Sequence, residues 1–426
     1  MNNENTLSSD WKLLKFSECI QQLNTGLNPR SHFSLGNGEI KYITAKNLTQ
    51  SGTIDFSNCD YIDESAKRII NKRSDIKVGD ILFSSRAPIG HCHLIKDEPD
   101  YFDIGESIFS IRVNKEVVLP EYLCLYLSST YFIELASKNT TGSIIQEIRI
   151  GDLMNTSVII PPKDTQKCIA KCLNTIDQKV ENNNKINAEL ESMAKTIYDY
   201  WFLQFEFPNE EGKPYKSSGG KMVWNEELKR EIPEGWSTTT IGDITICHDS
   251  ERIPLSGKDR ENMVGDIPYY GATDIMGYVD KPIFDGDYVL LAEDGSVMDE
   301  EGHPILQRVT GRVWVNNHAH VLEPIKKHSC KLLMMFLKDV YVPMIKTGSI
   351  QMKINQENMN GITVPNIPDD LKEKINLELC TIEKKQLQII AENQELTSLR
   401  DFLLPMLMNG QVGFKINNRK LPVYFK

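Results

Sequence analysis

Two periodicities alternate along this chain. After the Pro161-Pro162 stop, residues return in steps of four and three: Ile169, Leu173, Ile176, Val180, Asn183, Asn187, Leu190, Ala194 and Ile197. That is the heptad seam of a long helix. After Pro368 the same walk reads Ile375, Leu379, Ile382, Gln386, Ile389, Asn393, Leu396, Arg400 and Leu403. Asp164, and Asp369 or Asp370, are candidate N-caps for the two helices. Polar positions on both seams weaken an isolated coiled coil but help fix its register. Ahead of each seam the pattern changes to short apolar runs, such as Ile81-Leu82-Phe83, Ile108-Phe109-Ser110-Ile111 and Tyr288-Val289-Leu290-Leu291, punctuated by Gly, Asn, Asp and Pro. These predict strands and turns, with helical stretches near 121–137 and 331–345. Each front reads as a compact mixed α/β domain, so the fold class is α+β.

Sliding the chain against itself explains why the pattern occurs twice. Thr141-Gly142-Ser143-Ile144 recurs as Thr347-Gly348-Ser349-Ile350, a shift of 206 residues. Over positions 141–192 that shift gives 17 identities in 52 positions, where ordinary residue usage gives about three. Upstream the match loosens, although Trp11 and Trp236, Gly79-Asp80 and Gly286-Asp287, and Tyr42-Ile43-Thr44-Ala45 and Tyr270-Gly271-Ala272-Thr273 keep their order. A duplicated unit therefore has a variable front and a well-matched back. The expected organisation is a first domain over 1–162, a helix over 163–205, a surface linker over 206–232, a second domain over 233–367, a second helix over 368–408 and a tail over 409–426.

A helix from 164 to 200 would be about 55 Å long, longer than a small domain is wide. The two helices are therefore expected to bury each other as an antiparallel coiled coil about a pseudo-two-fold axis, with the domains at its two ends. Ile169, Leu173, Ile176, Val180, Asn187 and Leu190 would pair with Ile375, Leu379, Ile382, Ile389, Asn393 and Leu396. The alternative is that each helix folds back on its own domain.

Composition narrows the function. At 426 residues, 40% hydrophobic and 25% charged, the chain has material for more than one core. The polar start MNNENTLSSD is no signal peptide, and no apolar run approaches a membrane span. Nine cysteines without a C-x-x-C pair suit reduced thiols in a cytoplasmic protein and argue against a disulfide framework or structural zinc. The net charge of −11 is the wrong sign for coating nucleic acid indiscriminately. It is uneven, however: 16 Lys and Arg face 18 Asp and Glu over 11–162, against 12 and 19 over 233–367. The chain carries no P-loop and no Asn/Asp-Pro-Pro-aromatic motif of amino-methyltransferases. His91-Cys92-His93 and His318-Ala319-His320 put two histidines on one strand face but lack further ligands at useful spacing. No metal site and no catalytic residue is expected.

In its order of parts the sequence resembles the DNA-specificity (S) subunit of type I restriction-modification systems. The residues that carry the likeness are Gly79-Asp80-Ile81-Leu82-Phe83-Ser84, the paired Thr-Gly-Ser-Ile, Glu231-Ile232-Pro233-Glu234-Gly235-Trp236, Tyr269-Tyr270-Gly271-Ala272-Thr273 and Trp314-Val315-Asn316-Asn317-His318-Ala319-His320. The resemblance covers nearly the whole chain. It implies that each front is a target-recognition domain reading one half of a split, asymmetric double-stranded DNA sequence. It implies that the helices set the gap between halves and dock two methyltransferase subunits, with the restriction subunit a further partner. Adenine methylation requires flipping the base into a catalytic subunit. S-adenosylmethionine, ATP and magnesium would then belong to partners, and this chain would bind no cofactor.

Candidate DNA contacts follow from residue type and place. In the first front, Lys67, Arg68, Lys72 and Arg73 crowd one helix as a phosphate clamp, where the alternative is a solvated helix face. Ser84 and Arg86 occupy a post-strand turn from which a guanidinium can reach guanine O6 and N7. Thr44, Lys46 and Asn47 share a loop suited to phosphate and adenine contacts, or to ordinary turn chemistry. In the second front the matching candidates are Tyr270, Thr273, Asp274, Arg308, Arg312, Asn316, Asn317 and His318. The acidic run Glu293-Asp294 through Asp299-Glu300-Glu301 either faces solvent or lends a carboxylate to cytosine N4. Thr141, Gly142, Ser143 and Gln146, with Thr347, Gly348, Ser349, Gln351 and Lys353, suit close approach to a DNA backbone or a hinge between domain and helix. Two rival readings remain at this point: a DNA-acting enzyme with an unrecognised site, and a scaffold that grips only proteins.

Overall fold

The computed structural model describes residues 10–29, 32–137, 147–348 and 352–413. The chain forms two compact units, one made of 1–183 with 392–426 and the other of 184–391. Both boundaries fall inside the long helices Lys163–Tyr198 and Asp369–Met408. Each unit therefore owns one front and a segment of both helices.

In the first unit, strands Ile20–Thr25, Ile108–Val113, Ile81–Ser84 and Cys92–Leu94 lie side by side in that order, all antiparallel. A second sheet orders Asp60–Ile62, Ile40–Ile43 and Phe102–Ile104, the last pair parallel. Helix Glu64–Ser74 is capped by Asp63, whose side chain accepts from the Ala66 amide, and it buries Ala66, Ile70 and Ser74. Its remaining face is left to solvent, as its amphipathic spacing dictates. A two-stranded pair joins Lys12–Lys15 to Ser157–Ile160 just before the first long helix.

The second unit repeats this plan with longer strands. Its six-stranded sheet runs Thr245–Cys247, Ala319–Pro324, Phe284–Ala292, Leu306–Val315, Ile267–Tyr270 and Ile275–Val279. Ser237–Thr240 pairs with Thr363–Asn366 ahead of the second long helix, and the 206 shift carries Ser157–Ile160 onto that second strand.

The seams are buried as their periodicity requires. In the first unit Ile169, Leu173 and Ile176 join Leu403, Leu404, Leu407 and Met408 in a core that also holds Phe83, Phe109, Tyr122 and Tyr126. Leu396 packs against it and Val180 is half-buried. Arg400 Nε lies 2.7 Å from Asp177 Oδ1, and Asn183 bonds Asn393 at 2.8 Å. One helix segment climbs while the other descends, so the pair is antiparallel. In the second unit Ala194, Ile375, Leu379 and Ile382 share a core with Leu190 packed on it, and Ile389 is buried. There Gln386 Nε2 reaches the Asn187 carbonyl at 3.4 Å and Glu191 at 3.1 Å. The fold is α+β with an internal repeat.

Two local expectations are corrected. Asp164, Asp369 and Asp370 are first-turn residues rather than caps, a place that suits an acid through the helix dipole. Residues 206–232, read as a surface linker from their Gly, Ser and Asn content, are partly built into a core. Phe207 stacks between Tyr215 and Trp236, with centroids at 4.7 and 5.3 Å. Met222–Asn225 and Arg230–Pro233 then form a hairpin. Aromatic burial outweighed the loop-like composition.

Candidate nucleic-acid interface

One edge of the first front gathers four loops around Ser107. The Ala45 amide donates to Ser107 Oγ at 2.9 Å, the Ser85 amide to the Ser107 carbonyl at 2.9 Å and the Gly105 amide to the Ile43 carbonyl at 2.8 Å. The Ile148 amide then donates to the Ser85 carbonyl at 2.8 Å, tying in the chain that follows the first Thr-Gly-Ser segment. Arg86 emerges here, 43% exposed, with Nη1 at 2.7 Å from Glu106 Oε1 and Nη2 at 3.4 Å from Glu147 Oε1. The hydrogen bond it donates to Glu106 stabilises the charged guanidinium and raises its pKa, with burial opposing and Glu147 assisting.

The same wiring recurs in the second front. The Asn316 amide donates to the Tyr270 carbonyl at 3.1 Å, the Glu293 amide to the His318 carbonyl at 2.8 Å and the Ile354 amide to the Glu293 carbonyl at 2.9 Å. Isolated bridges join Arg86 to Glu147 in one front and Asp294 to Lys353 in the other. Ile43 thus corresponds to Tyr270, Ser85 to Glu293, Arg86 to Asp294 and Ser107 to His318. The sequence match had placed Tyr42 against Tyr270, one residue out of register, because only hydrogen bonding reveals which residue ends the strand.

The candidates fall into distinct places. Lys46, Arg68, Lys72 and Arg73 are exposed. Lys67, on the same helix, donates instead to the carbonyls of Pro99 and Asp100. Asn47 is buried and caps its own turn, accepting from the Thr44 amide at 2.9 Å. Ser84 is buried, with its hydroxyl on the Pro88 carbonyl at 2.6 Å. In the second front Thr273, Asp274, Asn317 and His318 are exposed, and Tyr270 is half-buried beside them. Asn316 is 2% exposed and orders the His318 turn through its Oδ1. Arg308 lies on the helix side of the sheet, held by Glu383 and Asp287 at 2.8 Å each. Arg312 is exposed opposite Asp285 in the strand register. Thr347 and Lys353 close a backbone pair at 2.7 and 2.9 Å with Gly348, φ 80°, beyond it. Thr141, Gly142, Ser143, Gln146, Ser349 and Gln351 lie outside the described residues.

A buried charge network supports the second edge. Arg252 donates to Glu293 at 2.6 Å and lies 3.3 Å from Asp249, while Lys353 reaches Glu293 at 2.9 Å. Burial pushes the Glu293 carboxyl up, but the bonds from Lys353 and Arg252 outweigh it and hold the pKa below its ordinary value. Cys247, Asp249 and His320 bring ligand-type atoms within 4.8 Å of one another. The two His320 nitrogens are already engaged, by Asp249 at 2.5 Å and the Ile354 carbonyl at 2.8 Å. Burial and nearby Asp249 raise the Cys247 thiol pKa to about 12. With Arg252 supplying the local cation, this cluster is a hydrogen-bonded ion network.

The two edges share one hydrogen-bonded frame and expose different side chains on it. A family model described as type I restriction modification DNA specificity domain matches residues 8–192 and again 233–396. The chain belongs to this family. It is similar to the type I restriction enzyme MjaIX specificity subunit of Methanocaldococcus jannaschii, 26% identical over 95% of this chain and 94% of the relative. The HindI specificity subunit of Haemophilus influenzae is 22% identical over 79% and 87%. The crystal structure of a type I system S subunit from M. genitalium covers 96% of this chain and 98% of its own, at TM-score 0.56 and 19% identity, a likeness of fold. As in those specificity subunits, this chain's role is recognition, not catalysis.

Within this specificity fold, sequence reasoning missed Glu106, Glu147, Arg252 and Asp249. One signal was available: the 206 shift carries Glu147 onto Lys353, a reversal of charge inside the best-matched stretch of the repeat. No helix among the described residues is long and apolar enough to cross a membrane.

Proposed function

We propose that this chain reads a bipartite, asymmetric double-stranded DNA sequence, the front within 1–162 taking one half-site and the front within 233–367 the other. Two adenine methyltransferase subunits dock on the long helices, and the restriction subunit joins the same assembly. The length of the helices fixes the gap between half-sites, since base-reading modules on one duplex face engage it about one helical turn apart, roughly 34 to 36 Å. S-adenosylmethionine, ATP and magnesium act in the partner subunits, in the cytoplasm, and this chain binds none of them.

The observation that carries this reading is the recurrence of one hydrogen-bonded edge, Ser85-Ser107-Ile148 and Glu293-His318-Ile354, with different side chains exposed on each. The acidic total argues against tight unaided binding, so partner subunits supply part of the affinity. The test is a methylation map of DNA from cells making this chain with its methyltransferase subunit, before and after the first front is exchanged for an unrelated one. Half of the modified sequence changes if the reading holds. An unchanged target refutes DNA reading, and methyl transfer or cleavage by the purified chain alone refutes the non-catalytic role.

A further inference from the structure

The structure assigns Arg86 and Asp294 as the matched specificity-determining positions of the two fronts. Arg86 recognises a guanine in one half-site. Asp294 recognises a base that presents an amino group, cytosine or adenine, in the other. This assignment rests on the reading of both fronts as DNA-reading domains.

The two residues occupy one structural position. Each follows a residue whose amide and carbonyl are bonded in the same pattern, Ser85 to Ser107 and Ile148, Glu293 to His318 and Ile354. Each faces, across an isolated bridge, the residue four positions beyond the serine of a Thr-Gly-Ser segment, Glu147 or Lys353. Between the fronts the charge is reversed on both members: cation opposite anion in the first, anion opposite cation in the second.

Arg86 is held as a base-reading guanidinium should be. Glu106 and Glu147 each take one nitrogen, so the plane of the fork is fixed before DNA arrives and less rotamer freedom is lost on binding. The remaining N–H groups match the O6 and N7 acceptors that only guanine places together in the major groove. Glu106 and Glu147 are positioning residues.

Asp294 offers only acceptors. One oxygen takes His318 Nδ1 at 2.6 Å, and the side chain is 20% exposed. A carboxylate accepts from cytosine N4 or adenine N6, and it repels guanine O6 and thymine O4, so it selects by exclusion as well as attraction. Lys353, 48% exposed, flanks it and offsets its repulsion from phosphates.

The test maps methylated sites in cells making the methyltransferase subunit with the wild-type chain, Arg86→Ala, Arg86→Lys or Asp294→Asn, with co-purification of the complex as the control for folding. Arg86→Ala should relax one guanine of one half-site, roughly 5- to 150-fold in discrimination, leaving the other half untouched. Arg86→Lys keeps the charge but loses the fork, so it should relax the same position, and it decides the matter should the alanine variant fail to assemble. Asp294→Asn, which gains a donor, should relax a cytosine or adenine of the opposite half-site. Glu147→Gln should weaken selection at the Arg86 position alone. Assembled variants with an unchanged motif, or relaxation at bases of other chemistry, overturn the assignment while leaving DNA reading intact. A wild-type chain that yields no bipartite motif overturns both.

Discussion

Asn183 Nδ2 lies 2.8 Å from Asn393 Oδ1, and the same nitrogen lies 2.8 Å from Glu392 Oε2. Asn183 is 1% exposed, between Val180 and Asn187 on the first seam, and its oxygen accepts from Lys179 at 3.1 Å. Such a contact fixes which turn of one helix faces which turn of the other, at a cost in stability. Asn183→Leu should cost about 1–3 kcal/mol by removing the buried amide that donates to the Asn393 side-chain oxygen. Adding Asn393→Leu should recover much of that loss. Thermal unfolding of the three variants checks this, and an equal or larger loss in the double variant would show that the pair contributes stability rather than register.

Four cations of helix Glu64–Ser74 separate into two roles. Arg68, Lys72 and Arg73 are exposed and make no ion pair among the described residues, whereas Lys67 is bonded to backbone carbonyls. Replacing the three by alanine should reduce the slope of log affinity against log salt by about 3, since each neutralised phosphate contributes about 0.9. The melting temperature should hold. Lys67→Ala should lower the melting temperature and leave the slope alone. DNA titrations at several salt concentrations, using the complex with the methyltransferase subunit, distinguish the two.

The Thr44-Lys46-Asn47 loop divides similarly. Asn47 accepts from the Thr44 amide and donates to the carbonyls of Asp55 and Asn58, at 3.1 and 3.4 Å. Asn47→Ala should cost about 2 kcal/mol, as expected for buried backbone groups left unpaired. Lys46→Ala should leave unfolding unchanged and weaken DNA binding. The opposite outcome, a stable Asn47 variant with altered sequence choice, would return Asn47 to the list of base-reading residues.

These divisions show what periodicity can and cannot convey. The seams from Ile169 and Ile375 were legible because helix burial depends on spacing alone, and the 206 shift exposed the repeat without any fold. The strands around Phe83 and Val289 were legible for the same reason. Lys67 looked like Arg68, and Asn316 like Asn317, because residue type does not say which of two neighbours faces inward. The pairing of Arg86 with Glu106 and Glu147 is a tertiary event across 20 and 61 residues. Phe207 and Tyr215 were hidden in a Gly- and Ser-rich stretch, whose composition described its turns and not its aromatic stack.

Asp103 gives the first unit a pH dependence. Its side chain is fully buried on strand Phe102–Ile104, where Oδ1 accepts from Ser74 Oγ at 2.7 Å and the Ile104 amide at 2.8 Å. Its second oxygen is buried and has no hydrogen-bond partner among the described residues. Burial lifts its pKa from 3.8 to about 6, against the opposing bonds from Ser74 and Ile104 and the charge of Lys67. A carboxyl whose pKa is higher folded than unfolded binds more protons in the folded state between those two values. Stability therefore falls as pH rises through the window from 3.8 to about 6, by about 3 kcal/mol in all, and stays lower above it. Asp103→Asn keeps an acceptor for Ser74 and Ile104 and does not titrate. The stability difference between variant and wild type should shift toward the variant by about 2.4 kcal/mol from pH 4 to pH 7 and then level off. Denaturant unfolding at stepped pH checks it, and a difference that stays constant across that range would mean that Asp103 is ionised in the folded protein as readily as in the unfolded chain.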